Sequence, residues 1–185
     1  DWMVYGARFV AQAEPFEKLK LRMVNGSHST IAYPGVVAGW ATVDRAIREP
    51  ALRRAVDTMM RGEIEPTLRG LGDLDLAAYR IRLIERFANP ALAHQTRQIA
   101  MDGSQKLPQR LLGTIRDRMA AGASIRHLTL AVAGWIRYAS GSDEQGAAIE
   151  VQDPLAETFR RIVRDAGGDP GATADGFLDL ASVFG

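Results

Sequence analysis

The sequence predicts an all-α fold, and three observations carry that reading. Apolar residues recur at helical spacing, as at Leu76, Tyr79, Leu83 and Phe87. Start and stop signals punctuate the chain at short intervals, with proline or a capping residue ahead of the apolar runs and glycine behind them. No stretch alternates apolar and polar residues as a half-buried strand would, and no internal repeat is present. The expected product is a multi-helix bundle of about eight or nine helices.

The elements follow in order. Residues 1–13 form a lead-in, with Trp2 and Phe9 expected as packing anchors. Pro15 suits the first turn of a helix, where its missing N–H is not needed. That helix is expected to be disturbed near Pro34-Gly35. Thr42 can cap a helix over 43–48, and Pro50 can open the next, with Leu52, Val56, Met59 and Met60 inward and Gly62 as its stop. Residues 66–73 read as a connection. Asp75 caps the following helix, and Asn89-Pro90 starts another that should reach Ala100. Asp102-Gly103-Ser104 is a turn and a new cap. The helix after it carries Leu111, Leu112, Ile115 and Met119 and stops at Gly122. Ser124 caps a helix through Leu128, Leu130, Val132, Trp135, Ile136 and Tyr138, apolar nearly all round and so expected as the central buried helix. After a polar loop over 140–152, Asp153-Pro154 caps a helix ended by Gly167-Gly168, and an amphipathic helix over 173–184 closes the chain.

Composition narrows the function classes. At 185 residues the chain is one domain or part of a longer protein, and its 46% apolar content is ample for a core. Net charge is +1, with no basic block of the kind a nucleic-acid surface needs. There are no cysteines, which excludes disulfides and thiolate metal sites and fits a cytoplasmic protein. No apolar run reaches membrane-spanning length. The chain opens at Asp1-Trp2-Met3, with neither an initiator methionine nor a signal peptide, as expected of a piece of a larger polypeptide.

One stretch mixes chemistry unlike any other, residues 14–30. Taking Glu17 as zero on a helix of about 100° per residue, Lys20 falls near −60°, Val24 near −20°, His28 near +20°, Leu21 near +40° and Asn25 near +80°. An acid, an amine, a carboxamide and an imidazole thus share one arc, interleaved with Leu21 and Val24, while Gly26 falls opposite. Each group has a plainer reading taken singly. Glu17–Lys20 would be a weak surface ion pair, His28 a structural histidine, and Asn25-Gly26 a helix C-cap that ends the helix there.

The run Lys20-Leu21-Arg22-Met23-Val24-Asn25-Gly26-Ser27-His28-Ser29 resembles the motif of the polyol-specific long-chain dehydrogenases, the family of mannitol 2-dehydrogenase and fructuronate reductase. That pattern is a lysine, an asparagine five residues on, and a histidine three further. The resemblance continues at residues 39–44 and 86–92 and is strong again over 99–110, Ile99 to Arg110. It implies a helical substrate domain similar to the C-terminal domain of 6-phosphogluconate dehydrogenase, spanning residues 1–185. An N-terminal Rossmann domain would precede it and hold NAD or NADP. This chain has no G-x-G-x-x-G after a strand, and its Gly167–Gly171 segment reads as a turn between helices.

Oxidising a secondary alcohol needs a base for the hydroxyl proton, donors for the developing oxyanion and a hydride acceptor. The resemblance makes Lys20 the general acid/base, with Asn25 and His28 polarising the oxygen and Glu17 relaying the proton. Lys20 can serve if apolar neighbours desolvate it and disfavour the ammonium form. Residues 94–110 are polar where substrate would lie: Lys106 is the leading substrate-binding residue, with Arg97 and His94 behind it, since arginine and lysine suit hydroxyls and carboxylates. The same charges read alternatively as complements to helix ends. The three histidines have no metal-ligand spacing, and no metal is expected. The expected activity is reversible hydride transfer between a polyol or aldonate and its ketose or keto-uronate. A rival reading is a non-catalytic helical interaction module, which requires Glu17, Lys20, Asn25 and His28 to be exposed and mutually distant.

Overall fold

The computed structural model describes Val4 and residues 9–185, and among these the chain is all-α, with no strand. Twelve α-helical stretches are joined by short loops, and three of the junctions are π-helical segments.

The first helix organises the rest. α1 (Glu14–Leu19) carries proline in its first turn, as expected. It runs unbroken into a π-helical segment, Lys20–Gly26, and then into α2 (Ser27–Val37). Asn25-Gly26 does not end the helix, because Gly26 sits at φ −60°, ψ −47°, ordinary right-handed helix. Pro34-Gly35 does not break it either. The turn is carried past the ring by Ala38 N–H on the Pro34 carbonyl at 2.9 Å and Trp40 N–H on the Gly35 carbonyl at 2.8 Å. Tertiary burial overrides local propensity here: from Ser27 to Val37 every residue except His28 and Pro34 is buried.

α2, not the helix after Ser124, is therefore the central helix. α9 (Arg126–Ala139) buries one side, chiefly Leu128, Val132, Trp135 and Tyr138, and leaves Leu130 55% exposed. Its other side carries Thr129, Leu130, Ala133 and Arg137, all exposed. α3 (Val43–Ala46), α4 (Pro50–Met59), α6 (Thr96–Ala100) and α9 all pack on α2. Gly35 allows the α6 approach, since a Cβ there would lie 2.9 Å from Thr96 Cγ2.

Several boundaries differ from expectation. Thr42 is extended but makes no side-chain cap. Gly62 does not stop α4, which passes into a second π-helical segment, Met60–Ile64. α5 (Leu76–Phe87) is capped as expected, Asp75 Oδ1 accepting from Ala78 N–H at 2.9 Å. The helix expected from Asn89 to Ala100 is split: one turn over Pro90–Leu92, then Ala93 in the left-handed region at φ 44°, then α6. α7 (Gly103–Leu107) leads through the third π-helical segment, Pro108–Leu112, into α8 (Gly113–Ala120). Met119 on α8 is 62% exposed. Ser124 is only a minor partner of α9. The helix start is held by buried Glu63, whose carboxylate accepts His127 N–H at 2.9 Å and Leu128 N–H at 2.8 Å. The closing helix is two, α11 (Pro170–Leu178) and α12 (Ala181–Phe184), after α10 (Ala156–Asp165). These last helices bring Phe159, Phe177 and Phe184 around the Trp135 indole at centroid distances of 5.6, 5.4 and 6.1 Å. Phe9 is exposed and anchors nothing, and Trp2 lies outside the described residues. No described helix is long and apolar enough to cross a membrane.

Candidate functional site

The site grows out of the Lys20–Gly26 segment. In a π-helix the backbone bonds i to i+5, so residues five apart stand one above the other. Lys20 and Asn25 are five apart and span that one turn. Glu17 precedes Lys20 by three residues in α1, and His28 follows Asn25 by three in α2, both ordinary helical neighbours. The register thus brings Lys20 and Asn25 closer round the helix than the arc a regular α-helix would give. Glu17 and Lys20 are both exposed, Asn25 and His28 half-buried. Among the described residues no apolar neighbour buries Lys20. Among the described residues, Glu17 and Lys20 make no ion pair with each other. The paired cations of this helix are Lys18 and Arg22, which share Asp117 at 3.3 and 2.7 Å.

His28 is held between two rings. Phe87, at the end of α5, lies 4.6 Å from it and His94 lies 5.6 Å away, edge-on. His94 is fixed by backbone pairing. Its carbonyl accepts Val43 N–H at 2.9 Å, Thr96 N–H bonds the Ala41 carbonyl at 3.0 Å, and Thr96 Oγ1 donates to the Trp40 carbonyl at 2.7 Å. The left-handed Ala93 makes the turn that aims the segment this way. Burial, then the charges of His94, Arg86 and Arg110, push the His28 imidazole down to about 4. It is neutral at neutral pH, and its buried Nε2 has no partner among the described residues.

The second strip is Lys106 to Arg110. α7 is anchored by Asp153, whose carboxylate accepts Ser104 N–H at 2.8 Å and the Ser104 hydroxyl at 2.6 Å. Asp102, in the left-handed region at φ 55°, turns the chain into α7. Lys106 donates to the Met101 carbonyl and lies 3.9 Å from Asp102. Burial, then Arg110, hold its amine below the usual lysine range, against the pull of Asp102 and Asp153. The Pro108–Leu112 segment packs directly on Lys20–Gly26. Gly26 makes that possible: a Cβ there would sit 2.8 Å from the Arg110 carbonyl oxygen. Arg110 itself donates to Ser29 Oγ at 3.0 Å. Arg97 is apart from this cluster, lining a groove with Gln95, Gln98, Met101, Tyr138 and Gln152.

The sequence reading did not single out Arg110 or Phe87. Arg110 had a signal: it follows Lys106 by four residues, so two cations fall on one helix face. Phe87 had none beyond its apolar spacing. No three His, Asp or Glu among the described residues converge on a common point for a metal. A dinucleotide pyrophosphate asks for a strand, a glycine-rich loop and a helix N-terminus. The described residues contain no strand, so they do not fit that role.

An all-helical domain bearing this motif is a recognised component of a class of oxidoreductases. The chain belongs to the mannitol dehydrogenase C-terminal domain family, which it matches over residues 12–182. It is 54% identical over 184 residues to a D-mannonate oxidoreductase of Escherichia coli, covering 100% of this chain and 37% of that protein. It is 36% identical over 176 residues to a mannitol 2-dehydrogenase of Aspergillus fumigatus, covering 95% of this chain and 34% of that one. Among solved structures, the Pseudomonas fluorescens mannitol 2-dehydrogenase in ternary complex with NAD and D-mannitol superposes with a TM-score of 0.89 at 30% identity, over 100% of this chain and 37% of that one. The chain thus spans little more than a third of the relatives it matches.

Proposed function

We propose that this chain is the substrate-side, proton-handling domain of an NAD(P)-dependent dehydrogenase acting on a secondary alcohol of a polyol or sugar acid. What supports this reading is the π-helical Lys20–Gly26 segment, whose i to i+5 register brings Lys20 and Asn25 closer round the helix than a regular α-helix would. An interaction module has no need of that register.

In the reducing direction the substrate carbonyl oxygen lies against Asn25 and His28. Neutral His28 acts as a hydrogen-bond donor and polarises the carbonyl without competing to protonate it. Lys20 delivers the proton to the oxygen, and Glu17, exposed beside it, passes the replacement from solvent. In the oxidising direction Lys20 takes the hydroxyl proton, while the positive field of Lys106 favours the developing oxyanion. A nicotinamide cofactor, held by a further domain of a longer chain, would supply the hydride chemistry. Lys20 is exposed in this chain. A base role asks that water be excluded around it, which a further domain of a longer chain would do.

The test uses the full-length protein. NADH and NADPH oxidation are followed with fructuronate, tagaturonate and fructose for the wild type and Lys20→Ala. Turnover lost by three or more orders of magnitude in a folded Lys20→Ala protein is the expected result. Unchanged turnover refutes the role of Lys20, and absence of turnover in the wild type refutes the substrate class.

A further inference from the structure

Arg110 has an environment that the groups on α1 and α2 do not explain. Its guanidinium is half-buried, and one terminal nitrogen donates to Ser29 Oγ at 3.0 Å. Its Nε is buried with no hydrogen-bond partner. Among the described residues it forms no ion pair with a carboxylate. The acids of this region are engaged elsewhere: Asp153 holds Ser104 and the Leu155 N–H, and Asp102 faces Lys106. Around Arg110 the charge is instead of its own sign. Lys106 is close enough to feel it, and His28 feels it together with Arg86. A partly desolvated guanidinium without a counter-ion is costly unless an anion completes it. Arginine is also the side chain whose planar fork matches a carboxylate in a two-bond pairing.

We propose that Arg110 binds the carboxylate of the substrate and so sets this site for sugar acids over neutral polyols. The proposal rests on the dehydrogenase reading above for the location of the reacting carbon. Ser29, adjacent to His28 in sequence, steadies one edge of the guanidinium. Lys106, whose amine is already engaged by the Met101 carbonyl, contributes charge and hydroxyl contacts while Arg110 supplies the fork. A neutral polyol would leave the Arg110 charge unmatched, whereas an aldonate or keto-uronate neutralises it. Discrimination thus comes from a cation that requires an anion, not from pocket size.

The experiment measures binding calorimetrically on the full-length protein with D-mannonate and D-mannitol as probes. Wild type, Arg110→Met, Arg110→Lys and Lys20→Ala are compared. Methionine preserves the packing of the stem, and lysine keeps charge without the fork. The expected result is a loss of D-mannonate affinity of about 10- to 100-fold in Arg110→Met. Arg110→Lys should fall between the two, and D-mannitol affinity should be unchanged in both. Equal weakening for both ligands, no weakening for either, or a wild type that does not prefer D-mannonate overturns the proposal. Lys20→Ala should keep the D-mannonate preference while losing turnover. Retained turnover there would instead count against the dehydrogenase mechanism and leave the carboxylate result standing on its own.

Discussion

Gly26 offers the sharpest check on the geometry of the site. Replacing it with alanine puts a Cβ 2.8 Å from the Arg110 carbonyl oxygen and 3.5 Å from Leu111 Cδ2. The first of these atoms is backbone of a packed helical segment, so the two π-helical segments must separate. Overpacking of this kind costs about 1–3 kcal/mol, and the helical preference of alanine over glycine returns about 1 kcal/mol. The net loss is therefore about 0–2 kcal/mol, a drop in Tm of up to roughly 8 °C for a chain of this length and about 1–3 kcal/mol below the Gly62→Ala control. Gly62 is the internal control. It too lies in a π-helical segment, but nothing comes within 4 Å of an added Cβ. Gly62→Ala should keep the propensity gain alone, up to about 1 kcal/mol and a few degrees upward. Thermal and urea unfolding followed by circular dichroism reads both variants. If Gly26→Ala proves as stable as Gly62→Ala, the close approach of the two strips is wrong, and the juxtaposition of Arg110 with the His28 helix goes with it.

Two further predictions concern the groups around this junction. His28 is held at about 4 against an ordinary 6.5, so between those values only the unfolded chain takes the proton. Its contribution is full above pH 6.5, falls as the pH drops through the window and stops falling near 4, by roughly 3 kcal/mol in all. The stability advantage of wild type over His28→Gln, measured by urea unfolding, should shrink by about that amount from pH 7 to pH 4, and a constant difference would refute the buried neutral imidazole. Glu63 closes the start of α9 from a distance, with His127 Nδ1 also 3.0 Å from its Oε1. Glu63→Ala leaves two backbone N–H groups without their partner and should cost about 2–4 kcal/mol. Hydrogen exchange should speed up first at residues 127–130, and uniform exchange along α9 would contradict the cap.

The sequence showed most of the fold because local signals and tertiary packing agree over most of it. Pro15 and Asp75 do what their chemistry predicts because those helix starts lie near the surface, with nothing else competing for the exposed N–H groups. The disagreements fall where packing overrules. Pro34 stays inside α2 because the helix is enclosed by α3, α4, α6 and α9, and ending it there would expose the core. α9 is not central because one side of it, with Thr129, Leu130, Ala133 and Arg137, faces solvent. Glu63 was invisible as a cap because it lies 64 residues from His127. The break at Ala93 had no local cause in the sequence, since alanine favours helix. It is imposed by the pairing of residues 94–96 with 41–43.

The candidate site was legible as a list of residues but not as a geometry, and the reason is the period of the helix. A wheel at about 100° per residue sets Lys20 and Asn25 roughly 140° apart, too far to act on one oxygen. Their spacing of five makes sense only where the backbone bonds i to i+5. The same inserted register carries Gly26 against Arg110 and His28 against Phe87 and His94. A regular α-helix through residues 20–26 would turn the following groups by most of the angle that one extra residue adds. His28 would then leave the two rings that bury it. The burial that keeps His28 neutral and the alignment of Lys20 with Asn25 are thus two consequences of one backbone feature. Lys20 is different. It is exposed among the described residues while His28 is half-buried against Phe87 and His94, so the two groups differ in their access to water.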